Sequence, residues 1–263
     1  MIRRRATRQI HVGPVPIGGD APIAVQSMCN TQTSDVEATL AQIEGLAAAG
    51  CEIVRLAVPD MAAARALSAI RAGSPLPLIA DIHFDSRLAV AALENGAEAI
   101  RINPGNLGGP DKLKRVVDAA RAHHAPIRVG VNSGSIAKDI LARYGYPTPE
   151  RPEALIESAL DHVRQIEGLG FSELKISIKS PDVLTTIASY RLLSSRTDYP
   201  LHIGVTEAGG LIAGTVKSSV ALGHLLMAGI GDTFRVSLTR DPVEEVRVEV
   251  RRSEERRVGK ECR

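Results

Sequence analysis

Short runs rich in β-branched residues alternate with longer Ala/Leu-rich stretches of helical period along most of the chain. The strand-like runs are Pro22–Met28, Glu52–Val58, Leu76–Phe84, Glu98–Asn103, Ile127–Asn132, Leu174–Lys179, Leu201–Thr206 and Thr233–Leu238. The helical stretches between them are Val36–Ala49, Met61–Ala72, Arg87–Asn95, Lys112–His123, Pro152–Gly168, Asp182–Arg196 and Gly214–Ala228. This rhythm predicts βα units and a parallel sheet. Eight strands and seven intervening helices fit a (β/α)8 TIM barrel with a closed sheet, which takes roughly 250 residues. Whether the eighth helix closes properly is left open by the pattern. A doubly wound open sheet is the alternative, but it usually carries a glycine fingerprint after its first strand. Gln26–Asn30 is not one, and the Gly18-Gly19 pair precedes that strand and reads as a turn. The chain thus divides into a lead (1–21), a barrel (22–249) and a charged tail (250–263).

Several boundaries carry their own signals. Ser34 or Asp35 is placed to cap the first helix and Gly50 to follow its end. Asp111 is placed to cap the fourth helix. His123 and His124 lie at that helix's C-terminal end, where positive charge is favoured, and read as dipole partners or surface residues rather than ligands. The longest irregular insertion, Ala142–Arg151, is expected at the barrel mouth, as a lid or as a plain connection.

Bulk properties narrow the function classes. With 263 residues, 44% hydrophobic and no Trp, the chain can bury one large core. Its net charge is +2 with both signs interspersed, so nothing global asks for nucleic acid or an anionic membrane. Basic Met1–Arg5 is followed by no apolar run, and no stretch approaches the ~20 apolar residues of a bilayer span. Cys29, Cys51 and Cys262 are few, odd in number and far apart, which suits a reducing cytoplasm. They form no CxxC pair and make no metal site by themselves.

The strands hold charge where a barrel expects Val, Ile and Leu. Along Glu98–Asn103, Arg101 and Asn103 share one face while Ile100 and Ile102 share the other. An unpaired guanidinium in a core costs several kcal/mol, so Arg101 must meet an anion, a carboxylate or a water-filled mouth. The same pattern places Arg128, Gly130 and Asn132 on one face of their strand, and Lys175, Ser177 and Lys179 on one face of theirs. Arg55, Asp81 with His83, Thr206-Glu207, and Arg235 with Ser237 extend it to further strands. For any single member a structural ion pair is an equally good reading. As a set, Arg55, Arg101, Arg128, Lys179 and Arg235 outnumber Asp81 and Glu207, so the mouth needs an anion. Arginine's planar fork and nearby helix N-termini suit a small phosphorylated or polyphosphorylated substrate. Lys179 could form a Schiff base or bind phosphate, and the surrounding arginines favour phosphate. Glu207 is the first acid/base candidate and His83 the second; Glu207 could instead only neutralise an arginine. His202 begins the seventh strand, at the opposite end, and reads as structural. With one histidine at the mouth, no metal site is expected.

The motifs VPIGGDAPIAVQSMCNTQTSD, ADIHFD, RINPGN, RVGVNSGS, GVTEAGG and GDTFRVSLTRDPVEEV, in this order, resemble the 4-hydroxy-3-methylbut-2-enyl diphosphate synthase family from about Arg8 to Val246. The resemblance implies a barrel that binds 2-C-methyl-D-erythritol 2,4-cyclodiphosphate. This substrate is reductively opened and dehydroxylated with two electrons from flavodoxin or ferredoxin, in the non-mevalonate isoprenoid pathway. By motif position it implies Arg55, Arg101, Asn103, Arg128, Asn132, Lys179, Arg235 and Ser237 as diphosphate ligands. Asp81, His83, Thr206 and Glu207 fall around the reacting carbons, with Glu207 as proton donor. Family members carry a second domain whose cysteines and glutamate ligate a [4Fe–4S] cluster, and they form head-to-tail homodimers. Those ligands are not matched here: Cys29 and Cys51 lie in the barrel, and the tail RRSEERRVGKECR is expected to be foreign to the family. Substrate binding is therefore implied more strongly than catalysis. A catalytically incomplete cyclodiphosphate-binding fragment is one alternative; a pterin-binding barrel resembling dihydropteroate synthase is another.

Overall fold

The structure, a computed structural model, describes residues 2–239 and 241–249. The predicted tail, including Cys262, lies outside the described residues. Strands β3 (Ala24–Met28), β4 (Ile53–Ala57), β5 (Leu78–Asp81), β6 (Ala99–Ile102), β7 (Ile127–Asn132) and β8 (Leu174–Lys179) pair in sequence order, all parallel. Strand β10 (Thr233–Phe234) pairs with both β3 and β9 (His202–Ile203). A parallel bridge between Ile176 and Leu201, with Ile176 N–H donating to Pro200 O at 3.0 Å, joins β8 to β9 and closes the ring. The molecule is the expected (β/α)8 barrel.

Alternation divides each strand between two environments. Val54, Leu56, Ile100, Ile102, Val129, Ile176 and Ile178 face outward into a continuous apolar layer shared with the helices. That layer receives Leu67 and Ile70 from α2 (Met61–Gly73), Val116 and Val117 from α4 (Pro110–Ala122), and Val163 and Ile166 from α6 (Glu153–Glu167). Helices α1 (Val36–Ala48), α3 (Ser86–Glu94), α7 (Val183–Arg196) and α8 (Leu211–Met227) complete the wall. The N-termini of α1, α2, α3 and α7 are fixed by Asp35, Asp60, Asp85 and Asp182, each accepting from a backbone N–H in the first turn. Asp111 does not cap α4. Gly109 takes that position, and Pro110 opens the helix, where its missing N–H costs nothing.

The lead contributes an element that its composition concealed. Strands β1 (Gln9–Val12) and β2 (Val15–Gly18) form an antiparallel hairpin. Its Ile10, Val12 and Ile17 pack against Ala24, Ile53, Ile79 and Ala99, the inward residues at the strands' N-terminal ends. The hairpin is therefore the floor of the barrel. Strands β5, β9 and β10 are shorter than their apolar periods, so His83, Thr206, Glu207, Arg235 and Ser237 stand on loops beyond the strand ends. The Ala142–Arg151 insertion begins inside α5 (Lys138–Tyr144), which ends at Gly145 with φ 74°. Residues 242–249 are helical and supply the eighth helix.

Candidate functional site

The inward faces that rise from this floor are polar. Sheet register aligns Asp81 with Arg101, Arg101 with Arg128, and Arg128 with Lys175 across β5 to β8. Arg55, Arg101, Arg128 and Lys179 are each more than nine-tenths buried. Desolvation of that kind is costly unless opposite charge is close. Asp81 supplies part of it: Oδ1 accepts from Arg101 Nη1 at 3.2 Å, and Oδ2 lies 3.4 Å from Arg55 Nε. Burial pushes the Asp81 carboxyl up, but Arg55, then Arg101, His83 and Arg128 outweigh it and hold it at about 2. His83 Nε2 lies 3.8 Å from Asp81 Oδ2, with half of its side chain exposed at the rim.

Arg235, on the loop after β10, is paired with Glu245 rather than with a strand carboxylate. Glu245 Oε2 accepts from Arg235 Nε at 3.0 Å and from Nη2 at 2.9 Å. Its Oε1 accepts from the Leu238 N–H at 2.8 Å. The carboxylate thus fixes both the guanidinium and the loop that carries it. The Met28 thioether lies between two cations, 2.9 Å from Arg55 Nη2 and 3.5 Å from Arg235 Nη1. Neither Glu245 nor Met28 stood out in the sequence. A glutamate in DPVEEV reads as a solvated helix residue, and only its 1% exposure reveals it.

Two of the five mouth cations have no carboxylate of their own among the described residues. Arg128 Nε donates to Ser177 Oγ at 3.0 Å, and its Nη1 has no partner there. Lys179 is pushed well down by burial and then by Arg128, Arg55, Arg235 and Arg101, which makes its amine a site where an anion would restore charge. Glycines make room for these groups: a Cβ at Gly130 would lie 2.5 Å from Arg101 Nε, and one at Gly204 would lie 3.3 Å from Lys179 Nζ. Asn103 Nδ2 donates to Ser135 Oγ at 3.2 Å, and that hydroxyl also donates to Asn132 O at 3.0 Å, tying the β6 and β7 ends together.

The structure thus gathers Arg55, Asp81, Arg101, Arg128, Lys179 and Arg235 in one buried network, with His83 at its edge. Thr206 and Ser237 are half-buried on the mouth loops. Glu207 is exposed, in the left-handed region at φ 51°, and forms no ion pair among the described residues. His202 lies inside the barrel with Nδ1 2.8 Å from Thr233 Oγ1. The arrangement can bind and orient a compact polyanion at the mouth.

The described residues do not fit a [4Fe–4S] cluster. No three of their His, Cys, Asp or Glu side chains converge as ligands. Burial pushes the Cys29 and Cys51 thiols to about 12, whereas cluster ligation takes thiolates. No helix among the described residues is long and apolar enough to cross a membrane.

Comparison with known proteins places this geometry. Residues 7–250 match the GcpE TIM-barrel domain. The chain is 67% identical over 248 residues to the 4-hydroxy-3-methylbut-2-en-1-yl diphosphate synthase (flavodoxin) of Desulfotalea psychrophila, covering 94% of this chain and 68% of that protein. It is 64% identical over 245 residues to the enzyme of the same name from Lawsonia intracellularis, covering 93% and 67%. The chain therefore spans about two thirds of the length of these relatives. Among solved structures, a Xanthomonas albilineans dihydropteroate synthase superposes with a TM-score of 0.65 at 16% identity, covering 97% of this chain and 99% of that one. The Bacillus subtilis spore coat polysaccharide biosynthesis protein spsE gives 0.66 at 13%, covering 97% and 75%. At such identities these two share the barrel, and the sequence kinship lies with the synthases.

Proposed function

This chain belongs to the GcpE TIM-barrel family, and on that premise we propose that its mouth binds 2-C-methyl-D-erythritol 2,4-cyclodiphosphate. The reaction served is reductive ring opening and dehydroxylation to (E)-4-hydroxy-3-methylbut-2-enyl diphosphate, a step of isoprenoid biosynthesis in the cytoplasm. One observation carries the reading. Arg55, Arg101, Arg128, Lys179 and Arg235 converge at one end of the barrel, with only Asp81 and Glu245 paired against them among the described residues. A diphosphate supplies the missing negative charge in a form that guanidinium forks match.

In this reading the five cations, with Asn103, Asn132 and Ser237, hold the phosphates. Asp81 keeps Arg55 and Arg101 aimed at them and, with His83 and Thr206, borders the reacting carbons. Glu207, exposed on its loop, is the proton donor for the departing hydroxyl. Electrons come from flavodoxin, the donor in the relatives' names, or from ferredoxin, as the resemblance implies. A [4Fe–4S] cluster, which the described residues do not fit, would supply the two-electron reduction when bound, and the working assembly would be a homodimer.

Calorimetry with the cyclodiphosphate tests the binding claim. Saturable binding that weakens with added salt is expected, and Arg101→Ala should weaken it by about 3 kcal/mol, as for a desolvated charge that loses its partner. A change below about 0.5 kcal/mol, the range of exposed pairs, would assign Arg101 to structure alone. Heats of dilution only, from the folded wild-type chain, would overturn the proposal.

A further inference from the structure

Beneath the mouth, a second layer of the barrel interior is polar, and of its members only Arg128 is used by the reading above. Gln26, Lys175 and His202 are each at least 98% buried, and Arg128 is 97% buried. Their neighbours along the strands, apart from Ser27, all belong to the outer apolar layer: Val25, Leu174, Ile176, Leu201, Ile203, Ile127 and Val129. By alternation these four side chains point inward. Below them lies the apolar floor of Ile10, Val12 and Ile17 with Ala24, Ile53, Ile79 and Ala99.

Each of the four carries a buried polar atom with no hydrogen-bond partner among the described residues. These are both amide atoms of Gln26, Nη1 of Arg128, Nζ of Lys175 and Nε2 of His202. Native interiors rarely leave such groups unsatisfied, so a cluster of them in one enclosed layer marks a binding site. The inventory says what it binds. Lys175, Arg128 and the Gln26 amide nitrogen offer only hydrogens when the lysine is charged, and the Gln26 oxygen is the one fixed acceptor. A water would accept two of these hydrogens but bring two of its own, whereas an anion only accepts. Asp232, the carboxylate whose charge acts on Lys175, is already engaged toward the floor: it accepts from Arg4 Nη2 at 2.9 Å and from Leu201 N–H at 2.8 Å. Arg128, Lys179 and Arg55 add further positive charge around His202.

We propose that the barrel holds a second anion site below the mouth, taking a halide ion and formed by Lys175, Arg128, His202 and Gln26. The ion accepts from Lys175 Nζ, Arg128 Nη1, the Gln26 amide and His202 Nε2–H, while His202 Nδ1 accepts from the Thr233 hydroxyl. Arg128 spans the two layers, and the ion supplies Lys175 and His202 with negative charge of their own, so the two anions bind together.

Crystals of the full chain grown in sodium bromide, measured at the bromine edge, test this directly. The expected result is an anomalous peak within hydrogen-bond reach of Lys175 Nζ and Arg128 Nη1 that persists when inorganic diphosphate fills the mouth. Lys175→Met should remove that peak and leave any bromide at the mouth. Gln26→Leu, which should lower its occupancy, is the second variant if the first does not fold. Three results would overturn the site: no anomalous peak in this layer, displacement of the peak by diphosphate, or an undiminished peak in Lys175→Met. The outcome does not depend on which phosphorylated substrate the mouth takes.

Discussion

Arg101 is set between Asp81, which holds its Nη1, and Gly130, whose missing side chain leaves space for its Nε. Gly130 has no positive φ, so alanine is conformationally allowed there. Its Cβ would instead push the far end of a flexible arginine. Gly130→Ala should therefore keep a near-normal Tm while weakening diphosphate binding about tenfold, read by calorimetry beside thermal unfolding. A Cβ at Gly204 would meet backbone, 2.8 Å from Arg235 O, so alanine at that position strains the barrel itself. Asp81 makes an acid-sensitive contribution at this same scale. Its carboxyl is held at about 2 against an ordinary 3.8. A depressed carboxylate stabilises fully above its unfolded value and loses that stabilisation as pH falls through the folded one. Stability should fall by about 2 kcal/mol between pH 4 and pH 2 from this group. Asp81→Asn should flatten that limb of the pH–stability curve measured by urea unfolding. The cations and Asp81 were legible because strand alternation exposes a charge that cannot face an apolar wall. Glu245 was not, because a helix glutamate beside Glu244 and Arg247 reads as surface until packing is known.

At the level of elements, the barrel strands were readable and their ends were not. Val205 and Val236 continue the apolar period past the last ladder hydrogen bonds of β9 and β10, so the pattern ran on where pairing stopped. The hairpin is hidden in the sequence for the opposite reason. Gly13, Pro14, Pro16 and the Gly18-Gly19 pair mark turns in the lead and predict no strand there, although Ile10 with Val12 and Val15 with Ile17 alternate around a turn. Gly13 has φ 53° and lies where a Cβ would meet Glu98 Oε1 at 2.5 Å, so the turn fits against the barrel only as glycine. Ile17 is fully buried. Ile17→Ala should cost about 3 kcal/mol in urea unfolding, as for large-to-small changes in a core, with mouth binding retained below the new Tm. An exposed lead would give less than about 0.5 kcal/mol.

For the whole molecule, the order of alternating elements was enough to reach the closed barrel, because eight parallel strands have few other ways to cover both faces. What it did not disclose is the second apolar face of α8. Leu222, Leu225 and Leu226 bury one side, while Ile212, Val216, Val220 and Met227 remain between 55% and 81% exposed on the other. A helix apolar on both faces is usually covered; if the homodimer expected from the family resemblance covers this one, the exposed face of α8 is its interface. Val216→Glu should then shift sedimentation from dimer to monomer while each barrel keeps its mouth affinity; unchanged sedimentation would place the interface elsewhere. The floor hairpin has a different consequence. With Ile10, Val12 and Ile17 sealing the lower end, the barrel is a blind-ended well and not a tunnel. Whatever enters must leave by the same opening, so product must depart before the next substrate arrives. Any body that covers the mouth therefore controls arrival and release together, and the traffic of the site becomes a one-door queue.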